Sequence, residues 1–175
     1  MATAQVTARL AADPTQLAQA FELQRRSFAA DPNPPLAVRR DRLSRLRRML
    51  RDHAAGIRDA IAADFGMRSS EETELLEQFT SLKGIAHAQS HLHRWMRPER
   101  RPVAWWSLPA RARLLRQPLG VAGIIVPWNY PLYLAVSPLT AALAAGNRAM
   151  LKLSEHTPRF GGLFESLIAR AFTAD

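Results

Sequence analysis

Apolar residues in the first half of this chain recur by threes and fours. Leu17, Phe21 and Phe28 share one face of a segment that opens on Asp13-Pro14, an N-cap followed by proline at the first helical position. Asp31-Pro32-Asn33-Pro34-Pro35 ends this short amphipathic helix, since consecutive prolines remove the donors a helix needs. Leu36, Leu43, Leu46, Leu50, Ala54, Ile57 and Ile61 then form one stripe and predict a single long helix. Arg39, Arg40, Arg42, Arg45, Arg47 and Arg48 fall on its remaining faces, with Asp41 and Asp52 as partial partners. The stop is predicted at Asp64-Phe65-Gly66, where glycine can take a left-handed cap. Ser69 and Glu72 form a capping box that starts a third helix, which turns Leu75, Phe79, Leu82, Ala86 and Trp95 inward and ends before Pro98.

Beyond Pro98 the period changes. Val103, Trp105-Trp106, Leu108-Pro109 and Leu114-Leu115 read as two short extended segments around a proline turn. The tryptophan pair suits either core packing or an edge that meets a partner chain, and the partner is the favoured choice. Leu119 to Val126 is an uninterrupted apolar run between prolines, which predicts a strand buried on both faces. Pro131 opens the next helix, Pro138 bends or restarts it, and Gly146-Asn147 caps it. Ala149 to Leu153 is a second short buried strand, and Thr157-Pro158 caps a last helix, Arg159 to Phe172. Strand, helix, strand, helix is the crossover unit of a parallel sheet. The predicted organisation is a frayed stretch over 1–12, a helical layer over 13–98, an extended or hairpin segment over 99–117 and a βαβα unit over 118–175.

In open α/β sheets ligands bind beyond the carboxyl ends of the strands. Trp128-Asn129-Tyr130 lies there, and Asn129 is the first candidate for chemistry. Gly120 and Gly123 lie within the strand run, so they do not make a G-x-G-x-x-G turn.

Composition narrows the function classes. The 175 residues include no cysteine, which excludes disulfides and thiolate metal sites. No apolar run approaches the ~20 residues of a membrane helix and no signal-peptide pattern opens the chain, so a cytoplasmic location is expected. A net charge of +9 invites a nucleic-acid reading. The charge is mostly arginine spread over helical faces, however, and no basic cluster alternates with aromatics. His87 and His91 stand four apart on a helix, but no third ligand has a fixed position, so no metal site is expected.

Three motifs in order carry a specific resemblance: Gln117-Pro-Leu-Gly-Val-Ala-Gly-Ile-Ile-Val-Pro-Trp-Asn-Tyr-Pro131, Ala141-Ala-Leu-Ala-Ala-Gly-Asn147 and Met150-Leu-Lys-Leu-Ser-Glu155. With Ala62-Ala-Asp-Phe-Gly66, Glu72-Thr-Glu74 and Arg94-Trp-Met-Arg-Pro98, they resemble the aldehyde dehydrogenase superfamily, closest to its coniferyl-aldehyde branch, from about residue 20 onward. The resemblance implies N-terminal helices packed on the start of an open, Rossmann-like parallel sheet that binds NAD, with NADP as an alternative. It implies oxidation of an aldehyde to an acid by a cysteine thiolate, with hydride passing to the nicotinamide and a glutamate-activated water releasing the acyl group. Asn129 matches the family's oxyanion-donating asparagine. Lys152, Ser154 and Glu155 match the segment at the adenosine ribose, and Ile125, Val126, Pro127 and Trp128 match the wall beneath the cofactor. The family usually has proline where this chain has Leu153.

The resemblance reaches Asp175 before the family's second glycine motif, its general-base glutamate and its nucleophile. The expectation is therefore an N-terminal part of such an enzyme: a truncated product, a fragment or one piece of a split enzyme. Such a chain is expected to be inactive alone and to bind NAD weakly, while its parent enzyme forms a homo-oligomer. Two other classes stay open. One is a basic helical module for nucleic acid or an acidic protein partner. The other is a non-catalytic partner of full-length homologues, docked through Trp105-Trp106.

Overall fold

The computed structural model describes residues 14–172. The stretch expected to fray and the Asp13 cap lie outside the described residues. The elements are α1 (Pro14–Ala30), α2 (Leu36–Asp52), α3 (Ala54–Phe65), α4 (Ser70–Glu72, Thr73–Phe79 and Thr80–Trp95), β1 (Glu99–Arg101), β2 (Ala112–Leu114), β3 (Val121–Ile125), α5 (Pro131–Ala145), β4 (Arg148–Lys152) and α6 (Pro158–Ala171). Helices precede a parallel β3–β4 pair, with Val121 opposite Arg148 and Ile125 opposite Lys152. The mixed helix-and-parallel-sheet class is as predicted.

One core joins the elements. Leu43, Leu46, Ile57, Ile61, Ile85, Leu92, Leu132, Val136, Phe160 and Phe164 are all buried in it. Each such side chain is worth about 1.5–3 kcal/mol on burial, so α2 to α6 carry the fold. The first helix runs 17 residues, is not short, and buries none of them; Leu17 and Phe21 stay exposed. It contributes little to the core.

Several expectations need correction. The predicted long helix is two, α2 and α3, parted at His53, although the stripe Leu43, Leu46, Leu50, Ile57 and Ile61 is buried as expected. Arg39 and Arg42, assigned to outer faces, are buried. Arg39 donates from Nη1 to the Ala144 and Ala145 carbonyls, from Nε to Pro34 O and from Nη2 to Asn33 Oδ1. It thus satisfies carbonyls that the end of α5 leaves open. Gly146 has φ +89°, and a Cβ there would stand 2.7 Å from Arg39 Cζ, so only glycine fits this cap.

The inward face of α4 also differs. Leu75 and Phe79 are exposed, Leu82 and Ala86 half-buried and Trp95 36% exposed, while Thr73, Glu77, Gln78, Ser81, Ile85, Ala88 and Leu92 are buried. The segment Thr73–Phe79 is π-helical, which rotates the helix away from a pure 3.6-residue period. Trp105–Ser107 forms a 3₁₀ turn, so the tryptophans are not in an extended segment. The antiparallel pair is β1 with β2, on either side of that turn.

The run at β3 is buried on one side only. Ile124 and Val126 are in the core, whereas Gly123 and Ile125 are exposed and Leu119 is 96% exposed. α1 contacts β3 and β4 but leaves Gly123 and Ile125 exposed. Most of β4 is half-buried. Pro138 neither stops nor restarts α5, which runs through it unbroken.

Candidate functional site

The parallel register brings two turns together at one sheet edge. Ile125 pairs with Lys152, and Val126 N donates to Lys152 O (2.9 Å), so the turn with Trp128-Asn129 and the turn with Ser154-Glu155 leave the same end of the sheet. Chain direction alone puts both turns at the carboxyl end of the sheet.

Asn129 is exposed, and its side-chain amide makes no hydrogen bond among the described residues. Its backbone is not free. Arg68 Nη1 donates to Asn129 O at 2.8 Å, and the same guanidinium pairs with Glu72 Oε1 (3.0 Å) and Glu77 Oε1 (3.3 Å). Arg68 lies between two rings, 4.7 Å from the Phe65 centroid and 4.5 Å from that of Tyr130. Its side chain is only 5% exposed. A guanidinium suits this position because its planar fork donates in several directions while its faces stack.

Glu77 is fully buried, and its Oε2 accepts from Leu132 N (2.8 Å) and Tyr133 N (3.2 Å). These are first-turn amides of α5, which Tyr130 at the N-cap position does not satisfy with its side chain. Burial pushes the Glu77 carboxyl above the ordinary carboxylate range, outweighing the Tyr133 amide, Arg68 and the Leu132 amide. Phe65, Met67, Arg68, Glu72, Asn129 and Tyr130 line an open cleft of about 350 Å³. A larger cleft of about 490 Å³ between α4 and α5 is lined by none of the predicted site residues.

The second turn is more exposed. Lys152 Nζ donates to Glu155 Oε2 at 2.8 Å, with side chains 63% and 55% exposed. That hydrogen bond holds the Glu155 carboxyl below the usual carboxylate range. Ser154 Oγ accepts from His156 N, and its carbonyl accepts from Thr157 N. At the wall, Ile125 and Trp128 are open to solvent and Pro127 is exposed, but the Val126 side chain is in the core. Thr157 does not cap α6 with its side chain; Asp64 does so from α3, accepting from Arg159 N (3.1 Å) and Phe160 N (2.9 Å).

His87, His91 and Trp95 form a ladder of rings along α4, with 4.1 Å between the histidine centroids. No group of three or more metal-ligating side chains occurs among the described residues. None of their helices is long and apolar enough to cross a membrane.

Arg68, Glu77 and Asp64 were not singled out by sequence reasoning. A signal for Glu77 existed: tracing Leu92, Ala88, Ile85 and Ser81 backwards by threes and fours reaches it. Leu75 and Phe79 draw the eye to the wrong face. Arg68 and Asp64 carry no such local mark.

A family model described as the aldehyde dehydrogenase family matches residues 2–173. A probable coniferyl aldehyde dehydrogenase of Pseudomonas aeruginosa is 47% identical over 160 residues, covering 91% of this chain and 34% of that protein. A coniferyl aldehyde dehydrogenase of a Pseudomonas species is 42% identical over 157 residues, covering 90% and 32%. Among solved structures, Staphylococcus aureus AldH in a substrate-bound state aligns with a TM-score of 0.86 at 27% identity, over 89% of this chain and 34% of the other. The chain spans about a third of the length of the curated relatives it matches.

Proposed function

We propose that this chain, which belongs to the aldehyde dehydrogenase family, serves an NAD(P)-dependent oxidation of an aldehyde to a carboxylic acid. Its contribution is Asn129 as oxyanion donor and the Lys152–Glu155 turn as ribose contact. The observation that carries this is the unbonded side-chain amide of Asn129, just beyond β3, on a backbone that Arg68 holds. An amide donates without bringing charge, so it favours the developing oxyanion over the neutral aldehyde. One such donor is worth about 10²–10³ in kcat.

The edge fits a nicotinamide dinucleotide. Ile125 and Trp128 offer exposed apolar surface, and Glu155 offers a carboxylate that Lys152 keeps ionised. A carboxylate accepts ribose hydroxyls, and the neighbouring cation tolerates a 2′-phosphate, so NAD and NADP both suit the turn. When bound, such a cofactor supplies the hydride acceptor. Ile125, Pro127 and Trp128 would line it, and Lys152, Ser154 and Glu155 would hold its ribose end. The 175 residues contain no cysteine, so the thiolate that the family resemblance implies is not theirs to supply. Taken alone they oxidise no aldehyde and bind NAD weakly. An aromatic aldehyde of the coniferyl type is the substrate class we assign, on the names of the relatives.

The test is a chimera in which this chain replaces the matched third of the Pseudomonas aeruginosa relative. It should reduce NAD with coniferaldehyde, and Asn129→Ala should lower kcat by ~10²–10³ while leaving KM for NAD near its starting value. An unchanged kcat overturns the assignment of Asn129.

We also assign a subunit contact to the segment between β1 and β2, where Trp105 and Trp106 are 78% and 73% exposed. Changing both to serine in the chimera should dissociate its oligomer in sedimentation. A stable oligomer would remove that assignment.

A further inference from the structure

The amide of Asn129 is useful as an oxyanion donor only if it is held in place without being occupied. Its side chain makes no hydrogen bond among the described residues, so its orientation must come through the backbone. Two side chains from outside the turn reach that backbone. Arg68 donates to the Asn129 carbonyl, and Glu77 accepts from the amides of Leu132 and Tyr133, three and four residues further on. The two are joined to each other at 3.3 Å. Turn and helix start are thus gripped on both sides by one ion pair, whose side chains are 5% and 0% exposed.

That arrangement is costly for a role in stability alone. Burying two charges offsets most of what their attraction returns, and apolar residues of similar size often stabilise as well or better. The π-helical stretch Thr73–Phe79 leaves Leu75 and Phe79 in solvent while Glu77 faces α5. Such stretches occur frequently at functional sites. The other helix start of the crossover unit is held by Asp64, a half-buried carboxylate that accepts from Arg159 N and Phe160 N.

We propose that Arg68 and Glu77 are the positioning residues for Asn129, Glu77 fixing the first turn of α5 and Arg68 fixing the Asn129 peptide so that the free amide is preorganised. This rests on the reading of Asn129 as an oxyanion donor, but its test does not use turnover.

The experiment is nuclear magnetic resonance on the isotopically labelled 175-residue chain. Backbone order parameters and amide exchange are followed over 128–133 and, as internal control, over 157–161, together with the side-chain amide of Asn129. In the unaltered chain the 128–133 turn should be rigid, with order parameters of about 0.85. Glu77→Gln should speed exchange of the Leu132 and Tyr133 amides by about tenfold or more relative to Arg159 and Phe160. Arg68→Met should lower the order parameter at Asn129 towards ~0.6 and shift its side-chain amide, with Leu132 and Tyr133 still protected. Arg68→Lys, which keeps a donor and a charge, should recover part of that loss. Asp64→Asn should loosen only the 157–161 turn.

Equal loss of protection at both helix starts in Glu77→Gln would mean a general stability effect and overturn the proposal. So would an Asn129 amide unmoved by Arg68→Met. If Glu77→Gln does not fold, Arg68→Met decides alone, since it leaves the carboxylate on α5. A rigid, Arg68-dependent turn combined with an Asn129→Ala chimera of normal kcat would refute the oxyanion role and leave the positioning intact.

Discussion

The two turns that follow the parallel strands are built from the same parts and end up different. Each leads into a helix that begins with proline, Pro131 in α5 and Pro158 in α6. Neither helix is capped by its own N-cap side chain, and each takes a carboxylate from a distant helix instead: Glu77 from α4 and Asp64 from α3. At α5 the carboxylate is fully buried and braced by an arginine stacked between Phe65 and Tyr130. At α6 the carboxylate is half-buried, and the charged pair of that turn, Lys152 with Glu155, stands in solvent. Burial is what separates them: a desolvated hydrogen bond or charge is expensive to break, while an exposed one is replaced by water. The first turn is held through buried contacts and the second through exposed ones.

The comparison is broken most directly by removing each carboxylate. Glu77→Ala leaves the amides of Leu132 and Tyr133 without their acceptor and takes one carboxylate from the buried Arg68, and should cost about 3 kcal/mol. Asp64→Ala removes an ordinary helix cap and should cost about 1 kcal/mol. Urea unfolding of the two variants checks the order, and equal costs would mean that burial does not distinguish the turns.

A pH series sharpens the same contrast. Burial holds the Glu77 carboxyl above its unfolded pKa. The stability tied to this proton is therefore fully present below about 4.3 and lost as pH rises through the folded value. For Glu155 the sign is opposite: the hydrogen bond from Lys152 lowers the folded pKa, so any contribution is present above about 4.3 and lost as pH falls. Unfolding midpoints of the unaltered chain, measured against Glu77→Gln from roughly pH 4 to 8, should show an advantage that shrinks with rising pH. A flat or growing advantage would contradict the burial account.

The smallest effect is expected at the exposed pair. Lys152→Ala should leave the unfolding midpoint unchanged, because so open an ion pair adds little. In the chimera it should weaken NADP more than NAD, since the cation that tolerates a 2′-phosphate is lost. NAD and NADP titrations of the chimera with and without Lys152→Ala check the order.

The elements legible in the sequence are those whose causes lie within a few residues. Gly66 and Gly146 cap their helices, Ser69 Oγ accepts from Glu72 N at 3.0 Å, Pro131 opens α5, and β3 leads into the Asn129 turn. Backbone conformation and first-neighbour hydrogen bonds decide such features, so residue type and spacing announce them. The resemblance added Lys152, Ser154 and Glu155 as candidates, which periodicity alone does not mark.

Tertiary structure decided where the polar side chains went. Arg39 reads as one arginine of a charged face until the end of α5, 105 residues later, offers it carbonyls. Glu77 reads as a surface acid between Leu76 and Gln78 until the start of α5, 55 residues later, offers it amides. A charged side chain is buried only where a partner repays its desolvation, and that partner is set by how the helices pack. The same holds in reverse for β3, whose apolar run predicts two covered faces. An apolar sequence states what can be buried, and only neighbouring elements determine whether it is.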